Sequence, residues 1–360
     1  MTTGRSTADW YRSFGELEAR GQSAVFEEWA LGVAGDPQVL AVIDELPLQK
    51  RQPNLVFAVA RLLGAPEGGY HELRDWLLAH WSAVSREAVV RMTQTNEPRR
   101  CAALLPALGV VAASRAAQSS PHRPLALLEL GASAGLCLYP DRYSYRYGDD
   151  EWLHPASGPS TVAIETETHG SAVPVPEELP EIVWRAGIDV EPLDVRDPDA
   201  VRWLETLVWP EQEARRRRIR NAVGLVRADP PILVRGNAIV ELEALADARP
   251  ADATLVVVTS AMLVYLPYAE RMRLVDVIRS LDAHWISLDG VGVLPEIDAK
   301  LDGPGGAMPG RFTLSLDGEP LADVGPHGQF VDWFASAAGA RGVRRADRAA
   351  RLGQTPPRPD

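Results

Sequence analysis

The string Glu129-Leu-Gly131-Ala-Ser133-Ala-Gly135 has the residue types and spacing best suited to ligand chemistry in this sequence. Glycines let a backbone bend sharply and approach a ligand without a Cβ clash. Where such a turn ends a strand and opens a helix, the first helical N–H groups and the positive dipole end face the site. A turn of this kind holds a carboxylate or a pyrophosphate. The same string fits Gly-x-Ser-x-Gly, the strained elbow that presents a nucleophilic serine, here Ser133. It does not fit the G-x-G-x-x-G fingerprint, because Ser133 replaces the second glycine and the third is displaced.

Other segments add donors and acceptors. Asp189 ends the apolar stretch Ala186-Gly187-Ile188, and a carboxylate at a strand's carboxyl end is suited to accept two ribose hydroxyls. It also fits a capping or turn aspartate. Asp149 is a second candidate, at the more usual spacing of about 20 residues after the glycines. Asn237, in Arg235-Gly236-Asn237-Ala238, offers an amide to an adenine edge or a cap to the helix that follows. Gln94-Thr-Asn96-Glu97-Pro98-Arg-Arg100 precedes a helix, so Thr95 or Asn96 is a natural cap. The alternative places Gln94, Asn96 and Arg100 on an acceptor molecule, with Glu97 as a base. Ser260 and Tyr265 follow an apolar strand, where an acceptor pocket opens. The histidines show no metal-ligand spacing, so no metal is expected. Arg215–Arg218 reads as a solvated face with Glu211–Arg215 and Glu213–Arg217 pairs. Trp184, Trp203 and Trp209 read mostly as core residues.

The elements that must position these groups follow from periodicity. From Trp10 to about Ser119 the pattern is helical, with Trp10, Phe14 and Leu17 on one face and Asp36-Pro37 and Pro53 as helix starts. Ser119–Pro124 reads as a linker. Leu125–Leu130 is a continuous apolar run ended by the glycine turn, the pattern of a buried parallel strand. Ile232–Arg235, Thr254–Thr259 and Trp285–Leu288 repeat it, with helices Ile239–Ala246 and Tyr268–Leu281 between. Strands alternating with helices imply crossovers and a parallel sheet. Tyr143–Leu179 reads as an inserted strand pair, and Arg311–Leu316 with Asp317-Gly318 as an antiparallel edge hairpin. The expected fold class is α/β, Rossmann-like, with a mostly parallel sheet. Its expected domains are helical (1–119) and Rossmann-like (120–338), followed by a disordered basic tail (339–360).

With 360 residues the chain is long enough for about two domains. A formal net charge of −12 argues against nucleic acid as the general partner. Cys101 and Cys137, the two cysteines, supply no disulfide framework. No secretion signal and no run of roughly 18 apolar residues occurs, so a cytoplasmic protein acting on a small molecule, without a membrane, is expected. Oligomeric state is left open.

The order Glu-x-Gly-x-Ser-x-Gly, Gly-Ile-Asp, Gly-Asn-Ala and then an apolar strand resembles class I S-adenosylmethionine-dependent methyltransferases. That resemblance implies S-adenosylmethionine as cofactor: its methionine part on Gly131, Ser133 and Gly135 beside Glu129, its ribose on Asp189 and its adenine on Asn237. Serine in the first turn and asparagine at the third loop depart from the usual glycine and aspartate. The whole chain resembles the bacterial domain-of-unknown-function family 2332. The matching strings are Thr93-Gln-Thr-Asn-Glu, Arg100-Cys-Ala-Ala-Leu-Leu-Pro106, Glu129–Leu136, Asp189–Asp194 and Trp203-Leu204 with Val208-Trp-Pro210. That likeness carries a fold expectation and no reaction. The hydrolase elbow runs against the all-helical segment ahead of Leu125 and the placement of His284 at a strand start. A non-catalytic binding module is the third reading.

Overall fold

The structure, a computed structural model, describes residues 6–116, 123–301 and 311–334. The expected tail, 339–360, and most of the expected linker lie outside them. The chain divides into two compact units: residues 1–95 with 193–223, and residues 96–192 with 224–360. The expected division at residue 119 differs from this at both ends. Residues 96–116 belong with the sheet, and 193–223 belong with the helices.

The first unit contains α1 (Thr7–Ser13), α2 (Ala24–Gly35), α3 (Pro37–Ile43), α4 (Pro53–Leu62) and α5 (Tyr70–Val90). Asp36 accepts from the amides of Gln38 and Val39, and Pro37 supplies the first turn, so α3 begins where its sequence dictates. The core is aromatic: Phe57 meets Phe26 at 5.2 Å and Trp29 at 5.4 Å between ring centres. A π turn over Phe14–Ala19 rotates Leu17 out to 70 % exposure, which breaks the expected apolar face. Residues 193–223 supply α7 (Pro198–Thr206) and the start of α8 (Glu213–Ala228). Trp203 and Trp209 join this core, and Trp209 Nε1 donates to Asn54 at 2.9 Å. Glu211 does not pair with Arg215; it accepts from Ser23 and from the Val25 amide at the start of α2. Glu213 pairs with Arg216 instead of Arg217.

The second unit is built on a mostly parallel ten-stranded sheet. Its strands are β1 (Leu125–Leu130), β2 (Ser144–Tyr147), β3 (Ala163–Thr168), β4 (Ile182–Asp189), β5 (Ile232–Arg235), β6 (Thr254–Ser260), β7 (His284–Gly290), β8 (Phe312–Leu316), β9 (Glu319–Val324) and β10 (Phe330–Trp333). Their order is β2-β3-β10-β9-β8-β7-β6-β1-β4-β5. As its unbroken apolar run predicts, β1 is buried and pairs in parallel with β4 and β6. From β1 the chain builds outward through β4 to β5, then crosses back to β6 on the other side of β1. That reversal defines the point in an open α/β sheet where a crevice opens at the carboxyl ends.

Alternation assigns the faces. Leu128 and Leu130 face one side and join a core with Leu242 of α9 (Ala238–Asp247) and Leu274 and Ile278 of α10 (Tyr268–Ser280). Glu129 faces the other side, which α6 (Cys101–Ala116) covers over β3, β7 and β8. The hairpin β8–β9 turns at Asp317-Gly318, both with positive φ, as its sequence predicts. It is not the edge. The segment 143–179 contributes β2 and β3 beyond β10, so the expected insertion forms that side of the sheet.

Candidate functional site at the carboxyl edge of the parallel strands

At the end of β1 the chain bends through Gly131 (φ +75°), Ser133 (φ +52°) and Gly135 (φ +71°). A left-handed serine is strained by about 1–2 kcal/mol and persists only where its surroundings hold it. The brace is Asp189, at the end of the neighbouring β4. Its Oδ2 accepts the Ser133 amide at 2.8 Å, and its Oδ1 accepts the Glu191 amide at 2.8 Å. Gly131 N and Ala132 N donate to Ile188 O, Gly135 N donates to Ala132 O, and Leu136 N donates to Asn96 Oδ1 at 2.8 Å. A Cβ on Gly131 would stand 2.7 Å from Met262 Cβ, so glycine is required there by space as well as by φ.

The expected helix after the turn is absent from the described residues. Two single 3₁₀ turns, Leu136–Leu138 and Pro140–Arg142, follow instead. The tyrosine-rich strand explains this, because its hydroxyls hold the segment in that shape. Tyr143 Oη donates to Leu136 O at 2.5 Å and Tyr145 Oη to Pro140 O at 2.7 Å. Arg185 adds bonds to Leu138 O at 2.9 Å and Asp141 at 2.6 Å. The turn is therefore a closed, internally bonded bend. The expectation of a row of bare amides backed by a helix dipole is corrected.

What this edge offers a ligand is a set of buried carboxyl and hydroxyl groups beside one arginine. Glu129 is 3 % exposed, with Oε2 lacking a hydrogen-bond partner among the described residues. Burial pushes its carboxyl well above the usual range, Cys137 and Asp189 add to that, and Arg100 opposes it. Ser260, at the end of β6, is buried with its hydroxyl unpartnered among the described residues. Arg100, the last residue of the short turn Pro98–Arg100, is buried and donates to Ser260 O at 3.4 Å and Pro326 O at 3.0 Å. At the end of β7 stands Asp289, which the sequence reading missed. Burial pushes its pKa up to about 7, against the opposing charges of Arg100 and Arg271.

The structure thus brings Glu129, Gly131, Ser133, Gly135, Asp189, Asn96, Arg100 and Ser260 to one end of the sheet. Other expected residues fall elsewhere or serve the fold. Asn96, though at this end, is committed to the turn as the acceptor for Leu136 N. Glu97 caps its own turn by accepting the Arg99 amide at 3.0 Å, a role expected of Thr95 or Asn96. Gln94 belongs to the helical unit. Asp149 is exposed just beyond β2, at the opposite edge of the sheet from β1 and β4. Asn237 is exposed and caps α9 through Ile239 N at 2.9 Å. Tyr265 is 74 % exposed. His284 sits at the amino end of β7, bonded to Asp317 at 2.7 Å.

Among the described residues, no group of three or more His, Cys, Asp or Glu side chains is placed to hold a metal ion. No helix among them is long and apolar enough to cross a membrane. No curated protein and no solved structure matches the chain. A family described as "uncharacterized protein conserved in bacteria", DUF2332, matches residues 8–333, nearly the whole of the sequence and of both units. The chain belongs to the DUF2332 family.

Proposed function

We propose that the α/β unit binds S-adenosylmethionine at the carboxyl edge of β1, β4 and β6 and is a methyltransferase acting on a small molecule. The observation that carries the reading is the placement of Asp189, at the end of the strand beside β1, directly against the turn and at the reversal of strand order. The charge pattern favours this ligand over a phosphate-bearing one. Phosphates call for free backbone amides or several bases, whereas the amides of Gly131, Ala132, Ser133, Gly135 and Leu136 are engaged and the edge carries the carboxyl groups of Glu129, Asp189 and Asp289 with one buried arginine. S-adenosylmethionine combines a sulfonium, an ammonium, a ribose diol and one carboxylate, which suits that set. Asp189 would accept the diol, the Glu129 carboxyl would give up its proton against the cationic groups, and Arg100 would pair with the carboxylate.

When bound, the cofactor supplies an activated methyl group. The residues of this chain need to position the two reactants and exclude water, which for in-line displacement supplies most of the acceleration. The test is a thermal shift of the full chain with S-adenosylhomocysteine. A ligand bound only to the folded state adds about 2.7 kcal/mol at 100 times its Kd. The expected result is a saturable rise that Asp189→Asn reduces. No rise at millimolar ligand removes the reading. The left-handed Ser133 also suits a hydrolase elbow. Labelling of Ser133 by a fluorophosphonate, with no response to S-adenosylhomocysteine, would transfer the assignment there.

A further inference from the structure

The loop that leaves β6 is firmly held on its inner side and apolar on its outer side. Ala261, the residue after Ser260, has φ +57°, a strained conformation for a residue with a Cβ, and its amide donates to Leu288 O of β7 at 2.8 Å. Met262 stands against Gly131, so the loop adjoins the glycine bend. Leu263 is fully buried. Arg271 of α10 donates to the carbonyls of Leu263 at 2.9 Å and Leu266 at 3.1 Å, which pins the loop from below.

On this frame Val264, Tyr265 and Tyr268 are 53 %, 74 % and 62 % exposed. Single exposed apolar residues are ordinary, whereas several together beside a candidate site mark a contact surface. The tyrosines are the informative members. Of the eight in the chain, five are buried, and Tyr70 is half-buried with its hydroxyl on Asp36 at 3.1 Å. Only Tyr265 and Tyr268 are exposed, three residues apart on one loop. Neither side chain has a hydrogen bond or a ring contact among the described residues. Size and charge select the occupant. From Ala261 to Ala269 no residue is charged, so an ion is a poor partner. An aromatic side chain offers about 150–250 Å² and a valine less, so the three fall short of the roughly 800 Å² per partner of a stable protein interface. A small molecule fits that area, and a phenol ring favours a flat π face over an aliphatic one.

We propose that Tyr265 and Tyr268 form a platform for a neutral, planar aromatic small molecule, held by ring contacts beside the glycine bend. Val264 extends the apolar margin of that platform. The surface is open, so one face of the guest is covered while the other stays in solvent, and affinity falls in the millimolar range. That such a molecule is the methyl acceptor rests on the methyl-transfer reading; its binding does not.

The experiment is saturation-transfer NMR of the full chain with indole, and with cyclohexanol as the non-planar control. Two double variants separate the rings from their hydroxyls. Tyr265→Ala with Tyr268→Ala removes both faces, and Tyr265→Phe with Tyr268→Phe keeps them. Both positions are exposed, so urea midpoints should match that of the unmodified chain. Saturable indole binding is expected, retained in the phenylalanine pair and at least about fivefold weaker both in the alanine pair and for cyclohexanol. Indole binding that is absent, equal to that of cyclohexanol, or unchanged in the alanine pair would overturn the platform. So would a concentration-dependent dimer in sedimentation that the alanine pair abolishes, since the patch would then belong to a second copy. Stabilisation by S-adenosylhomocysteine without indole binding removes the platform alone. Indole binding without that stabilisation upholds the platform and removes the methyl-transfer reading.

Discussion

The amide of Ser133 donates to Asp189 Oδ2 at 2.8 Å, joining the bend after β1 to the carboxyl end of β4. One carboxylate thereby fixes a left-handed serine and, through its other oxygen, the Glu191 amide. Removing it by Asp189→Ala should lower the unfolding free energy by about 1–2 kcal/mol. That is the lower part of the range for bonds to a charged group, because Asp189 is half-exposed. Asp189→Asn keeps one acceptor and should retain most of the stability. Urea denaturation decides; unchanged stability in the alanine variant would show that the brace is dispensable.

Gly131→Ala combines a left-handed backbone with a Cβ placed 2.7 Å from Met262 Cβ. A loss of about 2 kcal/mol or more is expected from the backbone and the contact together. Adding Met262→Ala to that variant relieves only the contact. A double-mutant cycle in urea should therefore show coupling between the two positions. Strict additivity would mean that they do not touch.

Asn96→Ala leaves the buried Leu136 amide without its acceptor, a change worth about 1–3 kcal/mol. Asn96→Asp keeps the acceptor but places an acid in a site 5 % exposed. The aspartate variant should lose more stability at pH 8 than at pH 5, where a buried acid is more readily protonated. Denaturation midpoints at the two pH values report the difference.

The unmodified chain should itself lose stability between about pH 4 and pH 7. The folded pKa of Asp289 is raised to about 7, so its proton is held more tightly in the folded state than in the unfolded one. Its contribution is full below the ordinary carboxylate pKa of about 4 and is lost as pH rises through about 7, for a change on the order of 4 kcal/mol. Glu129 is raised as well and acts in the same direction. Asp289→Asn should flatten this part of the profile, as measured by urea midpoints from pH 4 to pH 8. A profile as steep as that of the unmodified chain would contradict the assignment.

Features set by neighbours in sequence were the most legible. The unbroken apolar run of β1, the Asp36-Pro37 start of α3 and the Asp317-Gly318 turn each specify their conformation within a few residues. Asp189 was legible because it ends an apolar strand. The shape of the glycine bend was not, because it is decided from afar: Asn96 lies 40 residues before Leu136, and Arg185 lies 47 after Leu138. Periodicity also gives no destination for a strand, so β2 and β3 read as an insertion without showing that they extend beyond β10. Asp289 had one overlooked signal. In Ile286-Ser-Leu-Asp289 every second residue is polar, although both faces of β7 are buried.

The interleaving of the two units bears on how the chain can be made. Residues 193–223 leave the sheet unit after β4 and complete the helical one, so the first 95 residues lack Trp203 and Trp209 until synthesis has passed them. A ribosome-bound fragment ending before α7 should expose the apolar surface those tryptophans cover, and chaperone capture would be strongest in that window. For the same reason no single cut yields both units intact. An excised helical unit needs 193–223 spliced back by a linker, and a sheet unit started at residue 120 lacks the helix that shields one of its faces.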